Sequence, residues 1–334
     1  MAPQPPVRAG GARRPDLAGR ARRPGLAGRA RRPPSAPPRS IYLFPLPALA
    51  VFTVFFAVPT LQGFQYAVTD WDGFSVDFRS VGLANFSRAV TGDSLFANAA
   101  LNNAKFLLVV VVVQTALSLL LALALLRNSR GSIALRALFF FPTILSSVSV
   151  AFIWKFIYDP TFGIGNSVLG LGANLLNALG ADVTPLRLSY LGDDATAIYW
   201  VAMAQCWAHT GQMMVVYVAG LQAIPGEIYE AADVDGASPL RRFAHITWPL
   251  VAPATAIVVA YTTIQSFKAF DLILGLSGIP PKGSLDILST RIYTTFANSQ
   301  YGYAAAESIL FMALIALVTI VQRRALRAIP QADR

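Results

Sequence analysis

The sequence predicts an all-α polytopic membrane protein with six transmembrane helices. Three observations predict it. Of 334 residues, 55% are hydrophobic and only 13% are charged, against roughly 25% charged in soluble domains. Six apolar stretches each reach about the 20 residues that a helix needs to cross hydrocarbon. The remaining charge is gathered at the ends of the chain and between those stretches. Backbone groups in lipid must bond within their own segment, so the stretches are helices.

Residues 1–40 hold ten arginines and one acid, Asp16, which accounts for +9 of the net charge of +10. The composition is low-complexity Arg, Pro, Ala and Gly, with a nine-residue repeat over Ala12–Arg20 and Ala21–Arg29. So few apolar groups and so many prolines predict a disordered tail. Contact with anionic lipid headgroups is its functional reading, at about 1 kcal/mol per arginine; a plain solvated tail is the other. The rest of the chain is nearly neutral, so the basic balance does not point to nucleic acid.

The first span, residues 41–63, exceeds the ~7–15 apolar residues of a secretory signal and is read as uncleaved. Pro45, Pro47 and Pro59 kink or end it. The further spans are 104–126, 135–158, 196–221, 250–276 and 303–322. The membrane domain therefore runs over 41–325, with a short tail at 326–334. Six spans put both termini on one side. That side carries nineteen Lys and Arg residues against seven on the other, so it is cytoplasmic.

Between the fourth and fifth spans lies a polar segment, residues 225–249, that faces the cytoplasm in this topology. Glu227, Glu230, Asp233 and Asp235 come first, then Arg241 and Arg242. Pro225 suits a helix start, Gly236 suits a left-handed helix end, and Ser238-Pro239 supplies a cap and first position for a second helix. The reading is helix, tight turn, helix. Glu227, Glu230 and Asp233 fall on one helical stripe, while Ile228, Ala231 and Ala232 form a small-residue side.

Enzymatic signatures are absent from the sequence. No phosphate-cradling G-x-x-x-x-G-K-[ST] and no H-E-x-x-H occurs. His209 and His245 lie on different segments, and the single cysteine, Cys206, cannot form an intrachain disulfide. No catalytic residue, metal or cofactor is expected. Energy for any work must come from a partner or an ion gradient.

Glu230-Ala-Ala-x-x-Asp-Gly-Ala237 followed by Phe243, Ile246, Pro249 and Pro253 resembles the signature loop of the permease subunits of binding-protein-dependent ABC importers. Trp207-x-x-x-Gly211, Ala219-Gly-Leu-Gln-x-Ile-Pro225, Asn85-Phe86, Arg136-x-Leu-Phe-Phe-Phe-Pro142, Phe267-x-x-Phe270-Asp271 and Ile292-Tyr293 with Gly302 resemble the carbohydrate branch. Ser277-Gly-Ile-Pro-Pro-Lys282 departs from that branch's Gly-Gly-Pro-type loop. The resemblance implies a type I-like importer fold in a bacterial plasma membrane. It implies an ATPase subunit dimer, a second and different permease subunit and an extracytoplasmic solute-binding protein as partners, beside membrane lipid. It implies that Glu227, Glu230, Ala231, Ala232, Asp235, Gly236, Ala237 and Pro249 couple to the ATPase.

Polar groups inside spans are costly and often functional. Gln205, His209 and Gln212 recur at i, i+4 and i+7, giving the fourth span one polar face. With Trp154, Trp207, Gln265 and Asp271 they are candidates for a sugar path. Helix–helix hydrogen bonding is the competing use of such residues, Gln114 included. Lys155 and Glu307 are read as lying near the membrane surface. Import of a polar non-sugar such as glycerol phosphate, and a gradient-driven carrier or channel, stand as the alternative functions.

Overall fold

A computed structural model describes residues 43–327. The Arg-rich tail at 1–40 and the end of the chain from 328 lie outside the described residues. Among those described, every regular element is helical, and the one pairing of extended chain is an isolated antiparallel bridge, Thr69 to Ser80.

The helices are α1 (Leu46–Phe52), α2 (Val58–Tyr66), α3 (Ala84–Ser87), α4 (Ser94–Ala124), α5 (Arg130–Phe140), α6 (Ser147–Ile157), α7 (Ile164–Ala178), α8 (Ala197–Gln222), α9 (Gly226–Val234), α10 (Pro239–Arg242), α11 (Trp248–Phe267), α12 (Phe270–Ser277), α13 (Leu288–Ala297) and α14 (Tyr301–Arg327). The described chain divides at Phe55–Phe56 into two units. In the first, α1 has no buried residue, and Leu46, Leu49, Val51 and Phe52 are all exposed.

The second unit is organised on α8, fifteen of whose 26 residues are buried. It packs against α4, α5 and α11, while α12 lies along α6. One apolar cluster joins Phe106 and Val110 of α4 to Val150 of α6, Ile198 and Val201 of α8, and Ile273 of α12. A second joins Leu119 of α4, Met214 and Tyr217 of α8, and Val251 and Val258 of α11. Polar groups stitch the same helices together. Gln114 donates to the Thr262 hydroxyl (3.2 Å) and Ser118 donates to the Thr210 carbonyl (3.1 Å). Such bonds matter where lipid removes the hydrophobic drive between helices.

Among the described residues, four helical segments are long and apolar enough to cross a membrane: Leu46–Tyr66, Ser94–Ala124, Pro239–Phe267 and Tyr301–Leu326. A fifth arises if Arg130–Ile144 and Ser147–Ile157, bent by 103°, are one broken span. The sequence predicts one membrane-spanning helix over 135–158. The helix tightens into a 3-10 turn over Phe141–Ile144, where Pro142 supplies no amide hydrogen to the α ladder, and the break itself falls at the extended Leu145 and Ser146, the latter capping α6. The count of six includes α8, which has the length but not the hydropathy, since Gln205, His209, Thr210, Gln212 and Gln222 interrupt it. Its polar groups are sheltered by neighbouring helices rather than by its own apolarity.

The segments between spans are more structured than the sequence suggests. Residues 159–195 contain the amphipathic α7, and 277–302 contain α13. Helix α4 starts at Ser94, ten residues before the apolar run at 104, because Asp93 caps it by accepting from the amides of Leu95 (2.8 Å) and Phe96 (3.0 Å).

Candidate coupling loop and polar helix core

Helix α9 leaves α8 through Pro225, whose extended backbone (φ −60°, ψ 135°) breaks the helix direction. It ends in a Schellman turn. Gly236 takes φ +67°, the Ala237 amide donates to the Ala232 carbonyl (2.9 Å) and the Gly236 amide donates to the Asp233 carbonyl (3.1 Å). Ser238 then caps α10, with Pro239 in its first turn. Through a π-helical turn, Phe243–Thr247, α10 runs into α11, so Pro239–Phe267 is one continuous helical segment.

This loop is fastened to the helix core. Tyr229 and Phe243 pack against the cluster of α4, α8 and α11. The Tyr229 hydroxyl hydrogen-bonds the Thr247 hydroxyl (3.0 Å), and Asp233 forms an ion pair with Arg242. Both contacts tie α9 to the segment that becomes α11. They depend on residues that the motif positions do not single out, and only the folded turn brings them together.

The sequence-derived coupling residues divide by environment. Glu227, Glu230 and Ala231 are exposed on α9, as are Asp235 and Gly236 in the turn. Ala232 is only 8% exposed, so of the small-residue side it faces inward while Ile228 and Ala231 face out. Ala237 and Pro249 are half-buried, Pro249 in the first turn of α11. The acidic stripe is also divided: Asp233 is paired within the chain, whereas Glu227 and Glu230 have no ion pair among the described residues.

The polar face of α8 does not act as a single surface. Gln205 and His209 line a small crevice with Pro142, Ser147, Val150 and Leu272. The His209 ring nitrogen Nδ1 lies 3.2 Å from the Gln205 carbonyl. Gln212 instead donates to the Tyr261 hydroxyl on α11 (3.1 Å). Trp207 points elsewhere and meets Trp154 edge to face, with ring centroids 5.8 Å apart. Gln265 is half-buried on α11 and Asp271 is exposed in the first turn of α12. The structure thus brings Gln205 to His209 and Trp154 to Trp207 but does not gather all seven residues.

One polar cluster gathers residues that the sequence does not bring together. Asp93 accepts from Arg291 Nη2 (3.2 Å) and from the Tyr303 hydroxyl (2.8 Å). Arg291 Nε lies 3.6 Å from Glu307, whose side chain is 0% exposed. Arg88 covers the Tyr303 ring, 4.0 Å from its centroid. Glu307 is therefore buried within the protein: α13 delivers Arg291 to it, and the apolar run around Glu307 conceals that partner.

Residues 114–329 match the family model described as the binding-protein-dependent transport system inner membrane component. The chain is 31% identical over 287 residues to a probable ABC transporter permease protein, YurN, of Bacillus subtilis (strain 168), covering 85% of this chain and 94% of that one. It is 32% identical to the diacetylchitobiose uptake system permease protein NgcF of Streptomyces coelicolor, over 82% and 80% of the two chains. The sn-glycerol-3-phosphate transport system permease protein UgpA of Agrobacterium fabrum is 30% identical, over 85% and 93%. The fold is similar to that of a bacterial ABC transporter involved in the import of the acidic polysaccharide alginate, with a TM-score of 0.71 at 23% identity over 87% of this chain and 96% of that one. The chain belongs to the family of inner membrane components of binding-protein-dependent transport systems.

Proposed function

We propose that this chain is the permease subunit of an ATP-driven importer of sugars or oligosaccharides. It forms half of the translocation path and works with a separate ATPase dimer, a second permease and an extracytoplasmic binding protein. One observation carries the reading: α9 presents Glu227 and Glu230 to solvent from a capped turn that is tied at two points to the helical segment running into α11. Exposed carboxylates on such a ledge suit charge-assisted bonds to arginines of a docking partner. A push on α9 then reaches the membrane core as a movement of α11, without the loop collapsing first. The relatives that transport diacetylchitobiose and other sugars support the substrate class.

In this reading six helical segments cross the membrane, with α8 as the one sheltered by the others. Both termini and the 225–249 loop are cytoplasmic. Gln205, His209 and Gln212, with Trp154, Trp207, Gln265 and Asp271, serve the substrate path in the state in which the two permeases open.

The glycerol-phosphate relative favours a second reading. A phosphate group calls for a fixed cation along its route. The crevice at Gln205 and His209 is lined by neither arginine nor lysine, which suits an uncharged sugar better. Uptake into proteoliposomes holding this chain, its ATPase, the second permease and the binding protein tests the proposal. Uptake should require ATP and the binding protein, and thermal-shift screening of that binding protein should select a sugar. ATP-independent uptake by this chain alone would replace the importer with a carrier. Selection of glycerol phosphate over every sugar would replace the substrate.

A further inference from the structure

Helix α7 follows the α6 span after a six-residue connection. Four of its large aliphatic residues, at 164, 168, 171 and 175, form one stripe at helical spacing that Leu179 extends at the cap, while Leu169 and Leu176 lie to one side. All five are exposed: Ile164 51%, Val168 59%, Leu171 68%, Leu175 65% and Leu179 78%. On the opposite side Ala173 is buried. The stripe therefore points away from the protein's own body.

The helix is held in that attitude. Asn166 donates to the Leu188 carbonyl (3.0 Å) and accepts from the Leu188 amide (2.9 Å). Asn177 does the same with Val183, at 2.9 and 2.7 Å. These two asparagines strap the returning chain, residues 183–188, to the side of α7 away from the stripe. A helix clamped so that five aliphatic side chains face outward is built to meet an apolar phase.

We propose that α7 lies in the membrane interface with this stripe sunk into the lipid. Two observations select lipid over a protein partner. The apolar surface is continuous with that of the α6 span: Phe152 and Phe156 are exposed on α6, Phe156 contacts Phe162 with ring centroids 5.7 Å apart, and Phe162 leads into Ile164. In addition, residues 160–181 contain no Asp, Glu, Lys, Arg or His. The helix itself carries none of the charge that rims a specific protein interface, and the one cation beside it among the groove residues, Arg187, suits a lipid headgroup as well as a protein. An interfacial helix of this kind buries its apolar face about 5–10 Å below the headgroup boundary. In the topology proposed above this is the outer leaflet. The helix would brace the α5–α6 segment against tilting while α11 moves.

The test is spin-label accessibility on the assembled transporter in phosphatidylcholine nanodiscs. Single cysteines replace Val168, Leu171, Leu175 and, as the control on the flank, Asn174; Cys206 is buried and does not compete for label. All four sites are exposed, so the variants fold and label without repacking. Labels at 168, 171 and 175 should collide several-fold more often with oxygen than with a water-soluble nickel complex, and the ratio should invert at 174. Protection of the stripe from both reagents would mean that a second permease or binding protein covers it. Free collision with nickel at 171 would mean that it faces water. Either result overturns the proposal. Because the readout requires no transport, it stands or falls apart from the identity of the substrate.

Discussion

Gly236 holds the turn of the loop at φ +67°, and a side chain added there would meet nothing within 4 Å. The cost of substitution is therefore backbone alone, about 1–2 kcal/mol for most residues and less for asparagine. Gly236→Asn should retain most ATP-driven uptake, while Gly236→Val should lose most of it together with capture of the ATPase. Uptake and co-purification, measured on the two variants side by side, check this; equal loss in both would remove the backbone explanation. Glu230 presents the opposite case. It is exposed and has no ion pair among the described residues, so Glu230→Lys should change thermal stability by no more than about 0.5 kcal/mol. Co-purification of the ATPase should nonetheless fall sharply. ATPase recovery at the wild-type level would discard docking through this carboxylate. Both residues were legible in the sequence because turn chemistry is local. Asp233 was legible only as a member of a stripe; that it is spent on Arg242 depends on how the turn folds back.

At the scale of elements, the crossing of α8 and α5 depends on one glycine. A Cβ on Gly211 would collide with the backbone of Phe139 and Phe140. Backbone cannot swing aside as a side-chain tip can, so Gly211→Ala should force the helices apart and cost about 1–3 kcal/mol, read as a lowered Tm of the purified transporter. A Tm equal to wild type would show that α5 yields freely. Near the same junction, Arg136 on α5 donates from Nη2 to the Leu126 carbonyl (2.9 Å) and from Nε to the Leu125 carbonyl (2.8 Å), at the C-terminal end of α4. A cation there also complements the helix dipole. Arg136→Lys keeps the charge but loses the fork, so it should recover only part of the stability lost in Arg136→Ala. The sequence makes the long apolar helices legible because lipid demands uninterrupted apolar runs. It conceals α7 and α13, whose amphipathic patterns are short, and the 103° break that follows the Pro142 turn, because proline within a span is compatible with either a kink or a stop. It also conceals why α8 can be polar: that requires knowing that α4, α5 and α11 surround it.

Across the whole molecule, the chemistry at Asp93 ties together parts of the chain some two hundred residues apart. Asp93 caps α4, Arg291 comes from α13, and Tyr303 and Glu307 come from α14. Burial pushes the Asp93 carboxyl up, but bonds from Tyr303 and the Phe96 amide, the Arg291 charge and the Leu95 amide together hold it below the usual range. Its contribution to stability is therefore present above the ordinary aspartate value, about 3.9, and is lost as pH falls through the lower folded value. Arg291 is the residue on which the cluster turns. Its side chain is 14% exposed, against 8% for Asp93 and 0% for Glu307, so it is a cation bonded to Asp93 and beside Glu307 in a nearly dry site, with Arg88 over the neighbouring Tyr303 ring. Removing one partner of a buried pair typically costs 3–5 kcal/mol, because the other is left uncompensated; the partial exposure of Arg291 places Arg291→Met toward about 3. Glu307→Met alone removes a carboxylate whose contact with Arg291 is a long 3.6 Å and should cost less. The double variant removes the stranded carboxylate along with the cation, so its loss should fall short of the sum of the two singles by more than about 1 kcal/mol, within the range seen for neighbouring charges. Thermal unfolding of the four proteins at neutral pH closes the cycle. Additivity within about 0.5 kcal/mol would mean that Arg291 and Glu307 are neighbours without being partners, and that the polar tie of α13 to α14 runs through Asp93 instead.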